Sequence, residues 1–150
     1  MVAIAAERSL VGTWKLLSRE DVASDGQRRI DPILGPNPIA YLIYDAAGYF
    51  AVQFMRRDRG SAECVAERSP VGSANNSGAI NGYDAYFGRY TVGADGTVTQ
   101  ELVGALSPGD VGKVVTRRFQ TNGAELVIDL ETTASDGELV TRTLRWQRVA

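Results

Sequence analysis

Histidine is absent from this 150-residue chain. That absence removes the commonest general base, the usual zinc and haem ligand, and every Ser–His or Cys–His nucleophile pair. Cys64 is the sole cysteine, which excludes an intrachain disulfide and a thiolate metal cluster. With no histidine or lysine near it in sequence, nothing lowers its pKa, and it is no candidate catalytic thiolate. Lys15 and Lys113 are the only lysines, and a net charge of −2 supplies no basic field for nucleic acid or an anionic membrane. No apolar run is as long as a membrane span. Residues 1–10 are too short and too charged for a signal peptide, so the cytoplasm is the expected compartment. Dinucleotide-binding, phosphate-loop and nucleophile-elbow motifs are also missing, as is any spacing of metal ligands; no cofactor and no metal are expected.

What is present is a globular composition, 44% hydrophobic, that fits one domain over residues 1–150. Its patterning is mostly of period two. Residues 13–19 place Trp14, Leu16 and Ser18 on one face, which predicts a strand with one buried side. A turn at Ser24-Asp25-Gly26 leads to a short return strand over 27–30. Residues 31–38 hold three of the five prolines and predict an ordered loop. Residues 40–44 and 49–56 are aromatic and β-branched, and Asp45-Ala46-Ala47-Gly48 joins them as a hairpin. Residues 57–77 are polar and small and predict a lid, with a helical turn near 61–68. Ile80, Tyr83 and Phe87 fall at helical spacing and predict a short helix over 79–87 near a barrel mouth.

Strands then resume. Val98, Gln100 and Leu102 share one face, as do Leu126, Ile128 and Leu130, and again Val140, Leu144 and Trp146. Asn122-Gly123 is the strongest hairpin signal. Eight to ten closely spaced strands with one helical interruption predict an all-β, up-and-down antiparallel barrel, closed or nearly so, which removes exposed strand edges.

Several segments carry a resemblance: Leu10-Val11-Gly12-Thr13-Trp14-Lys15-Leu16, Gly35-Pro36-Asn37-Pro38, Tyr41-Leu42-Ile43-Tyr44, Gly48-Tyr49, Gln53-Phe54-Met55-Arg56-Arg57, Tyr83-Asp84-Ala85-Tyr86-Phe87-Gly88-Arg89-Tyr90, Arg117-Arg118-Phe119 and Leu144-Arg145-Trp146. In that order, over nearly the whole chain, they resemble the bacterial and fungal lipocalin-like domain family. The resemblance implies a small barrel around an internal cavity. The serine- and asparagine-rich stretch between Arg57 and Ala79 departs from it.

Within such a barrel, Trp14 reads as a floor plate covered by Arg145 or Arg148, a cation over an indole face. Arg117 shares a face with Val115 and Phe119, and Arg142 with Val140, Leu144 and Trp146. If those faces point inward, each guanidinium needs an anion, because desolvating it unpaired is costly. The inward faces offer no obvious carboxylate, so a ligand carboxylate, enolate or phenolate is the expected partner. The competing reading is a strand whose parity is shifted by a bulge, which would turn the arginine to solvent. Tyr41, Tyr83, Tyr86 and Gln53 are candidate polar groups of the cavity, and Trp146 a candidate wall. Arg56-Arg57-Asp58-Arg59 reads as a solvated turn that could also steer anions.

Three functional readings stay open. One is a container for a small apolar or amphipathic molecule with a polar or anionic end. The second is a histidine-independent isomerase, cyclase or hydratase acting on a polyketide-like or terpenoid-like substrate in the same cavity. A carboxylate such as Asp31, Asp84 or Glu101 reaching the cavity beside Tyr86 or Arg117 would favour it. The third is a homodimeric interaction domain whose barrel is filled by its own side chains.

Overall fold

The computed structural model describes residues 9–59, 81–134 and 137–150. Most of the expected lid, its helical turn and Cys64 lie outside the described residues. Nine strands follow one another: β1 (Gly12–Ala23), β2 (Arg28–Arg29), β3 (Ile39–Tyr44), β4 (Tyr49–Met55), β5 (Tyr83–Val92), β6 (Thr97–Ala105), β7 (Val114–Thr121), β8 (Glu125–Thr133) and β9 (Leu139–Arg148). From β3 to β9 each strand pairs antiparallel with the next, and β1 closes the ring between β3 and β9. The result is an eight-stranded up-and-down barrel. The short β2 extends the sheet beside Asp21 and Val22 on the edge of β1 that β3 leaves uncovered.

Strand alternation fills the interior. Leu42, Tyr44, Phe50, Val52, Phe54, Val98, Leu102, Leu126, Ile128, Leu130, Leu144 and Trp146 are all buried in one cluster, as the period-two pattern requires. Two departures from the expected pattern shape the site. First, Tyr83–Val92 is a strand, so residues 83–87 are not helical. Helical spacing was misleading there because β5 reverses the usual chemistry. Asp84, Tyr86 and Gly88 point inward, whereas Tyr83 and Phe87 point outward. Second, β1 carries a bulge between Leu16 and Ser18 where it pairs with β9. The bulge changes parity, so Trp14 and Leu16 face inward before it and Asp21 and Ala23 after it. Ser18 therefore leaves the Trp14 face.

At one end the floor is plugged. Trp14 is fully buried and its Nε1–H donates to the Leu10 carbonyl at 2.9 Å. Arg148 covers the indole, its guanidinium 4.2 Å from the ring centroid. The same guanidinium donates to the carbonyls of Ser9, Val11 and Gly123. Arg145, the other candidate for this role, is exposed on the outer face because it has the opposite parity. Gly12 admits the arginine: a Cβ there would collide with Arg148 Nη1 and the Ala150 carbonyl, and its φ of 147° suits glycine. We expect Arg148→Met to lose about 2 kcal/mol in urea denaturation, through charge-assisted hydrogen bonds and cation–π contact.

At the other end, Arg56 is buried and not part of a solvated turn. It donates to Asp58 at 2.8 Å and to the Pro32 carbonyl at 3.1 Å. It thereby ties the end of β4 to the proline-rich loop, whose Leu34 is fully buried.

Candidate functional site

Above the floor the barrel encloses a cavity of ≈ 50 Å³. That is space for about three to five water-sized groups. Leu42, Val52, Phe54, Ile128, Leu130, Leu144 and Trp146 make its apolar wall. Arg19, Asp84, Tyr86, Gln100, Arg117 and Arg142 supply its polar groups. A wider apolar groove lies outside the barrel, between Ile43, Tyr49, Phe87 and Val103. Its charged residues are already engaged: Asp45 accepts backbone N–H bonds in its turn and Arg89 lies over Tyr49. The unengaged polar groups are inside.

Both expected arginines face inward, and their situations differ. Arg142 donates from Nε and Nη2 to the two oxygens of Asp21 at 2.7 and 2.9 Å. The side chains are only 7% and 4% exposed. Burial alone would lower the Arg142 pKa, but the Asp21 carboxylate more than offsets this and raises it. Counting parity straight from Trp14 hides this carboxylate; the bulge in β1 delivers it. The same bulge brings in Arg19, which pairs with Asp31 at 3.2 Å and lies 5.5 Å from the Phe54 ring centroid. Asp31 also accepts the N–H groups of Ile33 and Leu34, so it organises the loop rather than the cavity.

Arg117 has no such partner. Among the described residues it makes no hydrogen bond or ion pair, and burial pushes its pKa down. Its electrostatic neighbours are Tyr86, Arg142 and Tyr44. Tyr86, whose own pKa is raised by burial, senses both Arg117 and Asp84. It shares the inner face of β5 with Asp84, two residues away, a separation of about 7 Å along a strand. Burial drives the Asp84 carboxyl up to about 7, opposed by Arg19 and reinforced by Asp110. Deeper in, Gln100 Nε2 donates to the Tyr44 hydroxyl at 2.7 Å. The lining is rich in donors: Arg19 Nε and Trp146 Nε1 are buried without an acceptor.

The structure thus brings Tyr86, Arg117, Arg142 and Trp146 to one cavity. It does not bring Tyr41, Gln53 and Tyr83 there. Tyr41 is 47% exposed and Gln53 is exposed, because the inward residues of β3 and β4 are Leu42, Tyr44, Val52 and Phe54. On the outer face the Tyr83 hydroxyl donates to Gln53 Oε1. Glu101 is exposed as well. Of the three carboxylates considered from sequence, Asp84 alone lines the cavity. The polar pair Gln100 and Tyr44 was readable as inward from alternation, but nothing in the sequence joined the two residues. Among the described residues no cluster of three potential metal ligands occurs, and no helix is long and apolar enough to cross a membrane.

A family model described as a lipocalin-like domain matches residues 11–149. No curated protein matches the chain. A barrel of this kind suggests small-molecule binding in general.

Proposed function

Because the chain belongs to the lipocalin-like domain family, we propose that its barrel holds a small, largely apolar molecule by an anionic oxygen received on Arg117. The carrying observation is a cavity-lining guanidinium that pairs with no carboxylate among the described residues. Arg19 has Asp31 and Arg142 has Asp21, whereas Arg117 faces the cavity with no carboxylate of its own. A half-buried cation in that position favours an anion, and a planar carboxylate meets the guanidinium fork with two hydrogen bonds. The apolar wall of Leu42, Val52, Ile128 and Leu144 suits the rest of the guest. The limited room favours a short chain or one small ring over a polyketide-like or terpenoid-like body.

Titration with benzoate, followed by calorimetry and by the emission of Trp146 in the wall, tests this reading. We expect saturable binding that weakens by about 10- to 100-fold in Arg117→Met, the range for one charge-assisted contact. Arg118→Met, which removes an exposed neighbour of opposite parity, leaves the affinity unchanged. Equal loss in both variants, or no loss in Arg117→Met, contradicts the reading.

A further inference from the structure

The order of polar groups along the cavity adds a chemical requirement to the anion site. Arg117, Tyr86 and Asp84 all line the cavity. Through Val98, Arg117 is level with Val92 of β5, so along the inner face of β5 Tyr86 comes before Asp84, and Tyr86 feels the charge of both. Asp84 is held by no arginine or lysine within ion-pair distance among the described residues. A guest anchored on Arg117 therefore meets a hydroxyl next and a carboxyl after that. Carboxylate, carbonyl and C–H, in that order, are the three groups of a 2-oxo acid.

Resting on the binding reading above, we propose that the cavity takes small 2-oxo acids and interconverts their keto and enol forms, with Asp84 moving the proton. Arg117 receives the carboxylate. The Tyr86 hydroxyl donates to the carbonyl oxygen. Asp84 Oδ takes a proton from carbon 3; the C–H electron pair becomes the C2–C3 double bond, and the carbonyl π pair moves to oxygen. The enolate that forms lies against the Tyr86 hydroxyl and the Arg117 charge, which stabilise it more strongly than the neutral ketone. Returning the proton from Asp84 to the enolate oxygen gives the enol, and returning it to carbon 3 restores the ketone. No electron acceptor or other reactant is consumed. Asp84 is the catalytic residue in this scheme, and neither histidine nor a metal is called upon.

The test is exchange of the C3 hydrogens of pyruvate, 2-oxobutyrate and phenylpyruvate in D2O, followed by proton NMR with the full chain. Each probe is used at saturation, fixed beforehand by calorimetry, so that affinity does not enter the rate. We expect exchange at least tenfold above the buffer rate for the probes that bind. It should fall to the buffer rate in Asp84→Asn and slow about tenfold in Tyr86→Phe, with both variants checked for folding by thermal melting. Saturable binding with exchange at the buffer rate overturns the proposal and leaves the binding reading standing. So does exchange that persists in Asp84→Asn, and so does binding of benzoate without binding of any 2-oxo acid. Failure of every carboxylate to bind overturns both.

Discussion

Asp21→Ala should destabilise the protein by about 3–5 kcal/mol, the cost of leaving a buried arginine without its carboxylate. Arg142 sits between Leu130, Leu144 and Trp146 in the cavity wall, and both its bonds to acceptors end on Asp21. Removing the carboxylate leaves a desolvated cation on β9 close to a second cation, Arg19, on the adjoining strand β1. Urea denaturation of the variant measures the loss. The paired replacement Asp21→Leu with Arg142→Met removes both charges and should recover most of it, because a buried ion pair contributes little net stability over apolar groups of similar volume. If the single and double variants lose the same stability, the pair is not the cause.

The Asp84→Asn variant should gain stability, and the gain should depend on pH. The carboxyl has an ordinary pKa of 3.8 and is raised by burial to about 7 in the fold. Between these values the folded state binds more protons than the unfolded one, so raising the pH favours unfolding. The native protein therefore loses stability from about pH 4 through pH 7, and the contribution is fully spent above that. The two values correspond to as much as about 4 kcal/mol at pH 8. The groups facing Asp84 are Arg19, Asp31 and Asp110, with Tyr86 beside it on β5. They are common to both proteins, so the difference between wild type and variant isolates this carboxyl. Thermal melting at pH 4.5 and pH 8 reads it. We expect near-equal melting temperatures at the lower pH and a higher one for the variant at pH 8. A constant difference across the range contradicts the assignment. The same substitution removes the proposed proton carrier, so stability and exchange activity should move in opposite directions.

The barrel was legible in the sequence because its strands obey period two and its turns carry the residues that tight turns need. Val98, Gln100 and Leu102 fall inward as alternation requires, as do Leu126, Ile128 and Leu130. The site was less legible, for three physical reasons. A bulge in β1 inserts one residue, and no local signal separates it from regular alternation; it delivers both Asp21 and Arg19. Strand β5 places a carboxyl and a phenol inside and Phe87 outside, which mimics a helical stripe. Tyr41 and Tyr83 have an apolar body and a polar tip, and such side chains serve an outer sheet face as well as a cavity. All three departures set aside the ordinary inside-outside rule, and two of them occur where the cavity is polar, as expected of a functional site. Arg148 rather than Arg145 covers Trp14 for a simpler reason: positions 142, 144, 146 and 148 share the inward face.

The most direct measurement is an NMR titration of protein labelled with 15N-arginine, observing the Nε–H signals while benzoate is added. We expect the Arg117 signal to move and saturate with the calorimetric affinity, while Arg142, locked on Asp21, stays in place. Movement confined to exposed arginines such as Arg118 and Arg145, or movement that follows ionic strength without saturating, would contradict this.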